Sequence, residues 1–226
     1  MSHRSQASRS DRALAAFRAG GPVLVHDHDD REGETDLVYP ADVVTPEAVA
    51  RMRNDAGGLV CVALSDSVAD AVDLPFLEDE LAHPTADAHD LGYDDRSSFS
   101  LPVNHRDTFT GITDEDRART ITELASAASA VETGVGYGPE EFAAEFRAPG
   151  HVHVLRGAPD GLGDRRGHTE LGLALAAAAE RPPAVVVCEM LDDETGRALA
   201  PDAAREYARR HEFPYVEGAD LVAALD

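Results

Sequence analysis

Three short, uninterrupted apolar runs limit what this chain can fold into: PVLVH at residues 22 to 26, LVCVAL at residues 59 to 64 and PAVVVCEM at residues 183 to 190. Each is too short for a core helix, is rich in β-branched residues and lacks the alternation of a half-exposed strand, so each reads as a buried strand. SFSLPVNH (98 to 105) and GHVHVLRG (150 to 157) are further strand candidates, and a short strand is expected around Tyr215 and Val216.

Helical patterns separate these runs. A short helix is expected over residues 11 to 19, and TPEAVARMRN carries Thr45 as N-cap with Pro46 at the first helical position. Others are expected from Thr113, over the alanine-rich TELGLALAAAAE, over PDAAREYARRH and from Gly218. Residues 66 to 96 read as a long acidic excursion with little core of its own. Residues 1 to 10 read as a polar tail, and residues 11 to 226 as a single domain without repeats. The expected class is α+β, a mixed sheet packed against helices.

With 43% hydrophobic residues in 226, the chain can bury a sizeable core despite a formal net charge of -23. All 20 basic residues are arginine. That profile resembles proteins from salt-loving cells, and self-repulsion at this charge predicts stability that rises with salt. A nucleic-acid backbone would meet a field of its own sign, so a phosphorylated ligand needs a local arginine cluster. Cys61 and Cys188 are too few for a disulfide framework or a zinc cluster, which fits a reducing, cytoplasmic setting. No apolar run approaches a membrane span or a signal peptide.

Chemistry concentrates in four places. Residues 27 to 36, DHDDREGETD, crowd carboxylates around Arg31. Such a cluster stays ionised if water, arginine or a hard cation neutralises it, and oxygen ligands suit Mg²⁺ or Mn²⁺. It equally suits a solvated acidic surface. An EF-hand register is met by Asp27 and Asp29 but fails at Arg31 and Glu32. The Asp-x-Asp after a strand also fits a haloacid-dehalogenase-type phosphatase, which normally needs a downstream lysine that this chain lacks. Residues 164 to 170, DRRGHTE, open a helix, where backbone N–H groups, Arg165, Arg166, Gly167 and Thr169 form a candidate phosphate cradle and His168 a candidate metal ligand or proton shuttle. The third place is His151, ending RAPGH; the fourth is Glu189, emerging from VVVC into partial burial that suits acid–base work.

Taken in order, PVLVHDHDDREGETDLVYPA, AGGLVC, SSFSLPVNHRDTFTGITDEDRARTI, FRAPGHVHVLR, DRRGHTELGLALA and VVVCEM resemble the 3,4-dihydroxy-2-butanone-4-phosphate synthases, in their archaeal single-domain form, from about Ala15 onward. The resemblance implies conversion of D-ribulose 5-phosphate to L-3,4-dihydroxy-2-butanone 4-phosphate and formate in riboflavin biosynthesis, through an enediolate and a skeletal rearrangement. It implies a homodimer and a Mg²⁺ or Mn²⁺ requirement. It implies metal ligation by Glu32 and His168, and substrate contacts from Arg31, Glu32, Asp36, Arg165, Arg166, Gly167, His168, Thr169 and Glu189. Catalytic positions fall on His151, Glu189, Asp27 and Glu34, with Cys61 near the site and Thr110 or Thr113 assisting at the phosphate. Many bacterial members have glycine where Arg166 stands. A phosphatase, or a non-catalytic acidic metal-binding module, is the alternative.

Overall fold

The three apolar runs become β1 (Val23–His26), β3 (Cys61–Leu64) and β6 (Ala184–Glu189). The computed structural model describes residues 8–27, 33–86 and 96–225. Among these, β2 (Thr35–Pro40), β4 (Val103–His105), β5 (Phe146–Arg156) and β7 (Tyr215–Glu217) complete a seven-stranded sheet in the order β4-β5-β3-β6-β2-β1-β7. The sheet is mixed: β1 runs parallel to β7 and β3 to β5, while the β1–β2, β2–β6, β3–β6 and β4–β5 pairs are antiparallel. This agrees with the expected α+β class.

Successive side chains on a strand point to opposite faces, and here both faces are covered. Leu24, Leu37, Val62, Val186 and Cys188 pack against α2 (Pro46–Asp55), α5 (Asp114–Glu132) and α8 (Pro201–Arg210). Val23, Val25, Val38, Cys61, Ala63, Val185 and Val187 pack against α1 (Arg9–Arg18), α7 (His168–Ala178) and α9 (Gly218–Leu225). Two covered faces are why the strands read as continuous apolar runs and not as alternating ones. Helix α7 lies close on its face because Gly172 has no side chain there: a Cβ would sit 2.9 Å from Val185 Cγ2.

Several local expectations change. Helix α1 begins at Arg9, where Ser8 and Asp11 form a reciprocal capping box. β2 is not among the expected strands, yet TDLVYP is fully buried and hydrogen-bonded to β1 on one side and β6 on the other, which holds acidic Asp36 in strand geometry. The 66-to-96 excursion is not empty of core: α3 (Asp66–Ala71), capped by Ser65, places Val68 and Ala69 in the interior, with Val72 and Leu74 after it. The short helices α4 (Leu77–Glu80) and α6 (Pro139–Glu145) were not anticipated. His168 is the first residue of α7, with Gly167 as N-cap and Thr169 inside the first turn.

Candidate active site

The α7-facing side of the sheet is apolar in its middle and turns polar at one end. Val38 and Val187 are cross-strand partners facing α7, so Asp36 and Glu189, also partners and displaced by two residues from them, face the same way. Cys61 shares that face and is flanked by Val187 and, on β5, by His153. Asp27 follows Val25 at the end of β1. The hairpin continues there: Asp27 N donates to Glu34 O at 3.0 Å, and Glu34 N donates to Asp27 Oδ1 at 2.9 Å. Asp27 and Asp36 are only 2% and 1% exposed, so this face carries buried carboxylates, while Glu34 and Glu189 are half-buried.

Helix α7 points its N-terminus at this end of the sheet. His168 Nδ1 lies 3.8 Å from Asp36 Oδ2, with both side chains largely enclosed. Just before the helix, Arg165 is turned inward: its guanidinium donates to Ser98 Oγ and stands 3.8 Å from Glu170 Oε2. The Glu170 side chain is fully buried in the first turn and accepts from Ala158 N at 3.1 Å, tying the residue 157-to-167 loop to the helix. Burial pushes the Glu170 carboxyl above the ordinary glutamate range, and Arg165 opposes that shift. Thr169 is also fully buried, and its hydroxyl makes no hydrogen bond among the described residues. The positive end of α7 and the Arg165 guanidinium are together able to hold an anion in an otherwise acidic molecule.

The remaining expected residues are distributed unevenly. Arg166 is exposed and its Nε donates to Leu162 O within its own loop, so the two adjacent arginines point apart. Burial, with Cys188, Glu189 and Asp36 adding to it, pushes the Cys61 thiol far up, and burial takes Cys188 up to about 12; neither is a thiolate nucleophile. Thr113 caps α5 by accepting from Asp116 N, and Thr110 donates to Asp116 Oδ2, so both hydroxyls hold the loop that leads into α5. Arg31 and Glu32 lie outside the described residues. Ser98 and Glu170 beside Arg165, and His153 beside Cys61 in register, join the site region without having been singled out, and burial pushes the His153 imidazole below its ordinary value. Only Glu170 left a trace in sequence, as an acid inside an otherwise apolar helix. His151 is exposed and bonded to Asn104 at the β4–β5 edge of the sheet, away from the Asp36–Glu189 pair in strand order.

Among the described residues no group of three or more His, Cys, Asp and Glu side chains could by itself hold a metal ion. The chemistry at His168 nevertheless fits a hard cation, because an imidazole stands beside a buried carboxylate and carboxylates dominate that end of the sheet.

Known proteins match this chain over nearly its whole length. Residues 11–224 match the family model for 3,4-dihydroxy-2-butanone 4-phosphate synthase. The chain is 48% identical over 221 residues to the synthase of that name from Archaeoglobus fulgidus, covering 94% of this chain and 92% of the relative. It is 47% identical over 224 residues to that from Methanosarcina mazei, covering 95% and 90%. A crystal structure of a 3,4-dihydroxy-2-butanone 4-phosphate synthase in complex with two magnesium ions superposes with a TM-score of 0.76 at 30% identity, covering 94% of each chain. With nearly its whole length matched in sequence and in fold, the chain belongs to the 3,4-dihydroxy-2-butanone 4-phosphate synthase family.

Proposed function

We propose that this end of the sheet binds D-ribulose 5-phosphate and releases L-3,4-dihydroxy-2-butanone 4-phosphate and formate, the step that supplies the four-carbon unit for riboflavin. The observation that carries the reading is the meeting of two opposite environments: buried Asp36, beside Glu189 in register, faces His168 at the N-terminus of the helix whose preceding loop presents Arg165. The phosphatase reading loses its support at Asp27, whose Oδ1 is engaged by Glu34 N within a buried hairpin end.

In this reading the substrate phosphate lies against Arg165, the α7 N-terminal amides and the Thr169 hydroxyl. Arg31 and Asp36 contact the sugar portion. Arg166, directed to its own loop, contributes local positive charge and no direct ligand. Glu32 and His168 would hold Mg²⁺ or Mn²⁺, which when bound supplies positive charge against substrate oxygens as they become anionic. The proton on carbon 3 goes to the Asp27–Glu34 pair, and His151 and Glu189 serve the oxygens during rearrangement and hydration. The protein works as a homodimer, a reading supported by Phe109 and Ile112, apolar side chains that are 93% and 51% exposed on one loop. A cytoplasmic setting is supported by two free, buried cysteines.

The direct test is incubation with ribulose 5-phosphate and Mg²⁺, with and without EDTA. Formate should appear in step with substrate loss, without inorganic phosphate, and chelation should stop it. Release of inorganic phosphate without formate would overturn the reading. Sedimentation of the active enzyme should give twice the chain mass.

A further inference from the structure

His151 sits where the β4–β5 ladder slips. Val103 pairs with Val152 but the next residue, Asn104, pairs with Arg147, so residues 148 to 151 bulge from the strand. Asn104, 1% exposed, grips this bulge: its Oδ1 accepts from His151 N at 2.8 Å, and its Nδ2 lies 3.2 Å from His151 Nδ1. The same amide nitrogen also approaches Thr110 O at 3.5 Å. Gly111 allows the loop to close over the amide, because at φ +88° it has no side chain, and a Cβ there would fall 2.1 Å from Asn104 Nδ2.

These partners leave one assignment of protons. A backbone N–H only donates, so the amide oxygen must face His151 N, which turns the amide nitrogen toward the ring. That nitrogen only donates, so His151 Nδ1 must accept. A neutral imidazole has one donor and one acceptor, so the proton resides on Nε2. We propose that Asn104 is a positioning residue that locks neutral His151 in the Nε2–H tautomer, so that His151 enters the reaction as a hydrogen-bond donor to a substrate oxygen and the proton-accepting work falls to the carboxylates. This rests on the reading that His151 contacts the reacting substrate, and it specifies what His151 does there.

The test reads the ring directly in the full-length chain. Long-range ¹⁵N–¹H correlations of His151, assigned by their loss in His151→Gln, should show the Nε2–H tautomer at a pH where the ring is neutral. Asn104→Asp keeps an oxygen for His151 N but places a second acceptor opposite Nδ1, and the ring should switch to Nδ1–H. Its kcat should fall about 100-fold or more with KM within about threefold, since a misplaced proton affects the reaction and not substrate capture. A wild-type ring protonated on Nδ1 overturns the proposal. So does an Asn104→Asp ring that keeps Nε2–H, or one that switches while turnover holds. If Asn104→Asp does not fold, the wild-type spectrum decides alone. Normal turnover in His151→Gln would overturn the role of His151 itself, whereas the Asn104→Asp results overturn only the part given to Asn104.

Discussion

The two faces of the sheet are made by the same strands, yet they are built for different ends. Toward α2, α5 and α8, neighbouring strands present Leu24, Leu37, Val62 and Val186, fully buried apolar groups that continue into Cys188 and Met190. Toward α7, the neighbouring positions begin as Val38, Val185 and Val187 and end as Asp27, Asp36 and Glu189. A buried carboxylate costs stability unless it is hydrogen-bonded or paired. The α7 face accepts that cost at one end, where the helix N-terminus and Arg165 offset it, whereas on the opposite face Glu217 is half-buried and paired with Arg205 of α8. Reactivity is therefore separated from cohesion by the two-residue repeat of the strands.

The sharpest way to break this comparison is to change one group on the reactive face. Glu189→Gln preserves size and one acceptor oxygen while removing the charge, so kcat should drop by about 10²- to 10⁴-fold with the unfolding midpoint nearly constant. Formate release by the variant within tenfold of wild type would show that Glu189 is only a half-buried strand end. The matching change on the cohesive face is Leu124→Ala in α5, where the side chain is fully buried. It should lower stability by about 2–5 kcal/mol in urea unfolding while leaving kcat per folded molecule unchanged. A large kcat loss in that variant would mean that the faces are mechanically coupled and the separation is false.

How much of this was legible in sequence follows the same division. β1, β3 and β6 could be read from VLVH, CVAL and AVVVCE because cover on both faces leaves an unbroken apolar string. β2 could not, because TDLVYP opens on Thr35 and Asp36 at the end of an acidic stretch, and only pairing with β1 and β6 makes it a strand. The α3 segment carried a signal that the acidic residues masked: Ser65 as cap, then Val68 and Ala69 on one side. In the site, Arg165, Gly167, His168 and Thr169 were readable together because they are adjacent in the chain. That Asp36 faces Glu189 depends on register, and that Asn104 reaches His151 depends on a bulge; neither leaves a local mark. The opposite directions of Arg165 and Arg166 also depend on tertiary partners, Ser98 and Glu170 on one side and Leu162 on the other.

A smaller effect tests whether the outer surface is a third, independent region. The formal net charge of -23, with arginine as the only basic side chain apart from histidine, makes mutual repulsion a cost of the compact state. Raising KCl from about 0.1 M toward 2 M should raise Tm by about 5 °C or more, because the Debye length falls from about 10 Å to about 3 Å by 1 M. The buried Asp36–Glu189 end is screened much less, so Glu189→Gln should show a similar salt slope. An unchanged Tm would remove salt adaptation as the reason for this composition, and a slope that collapses in Glu189→Gln would place the dominant repulsion inside the site.

The smallest expected effect lies at the border between the site and α5. Asp116 receives Phe109 N at 3.3 Å, Thr110 N at 3.2 Å and Gly111 N at 2.8 Å, and these bonds, with Gly111 first, hold its carboxyl below the usual 3.8. A carboxyl lowered by folding contributes stability that is complete above the unfolded value and is lost as pH falls through the lower folded one. Asp116→Asn keeps one oxygen for Thr110 and Gly111 but leaves Phe109 N facing a donor, so amide exchange over residues 109–111 should quicken by about tenfold near pH 6. The difference from wild type should then shrink only as pH falls through the native carboxyl's own value, which lies below 3.8. Because Gly111 in turn borders Asn104, the variant should disturb turnover slightly and the bulk of the core not at all. Equal exchange in both proteins at both pH values would mean that the loop is held by its own backbone turn, and that the carboxylate beneath it is incidental to the position of Asn104.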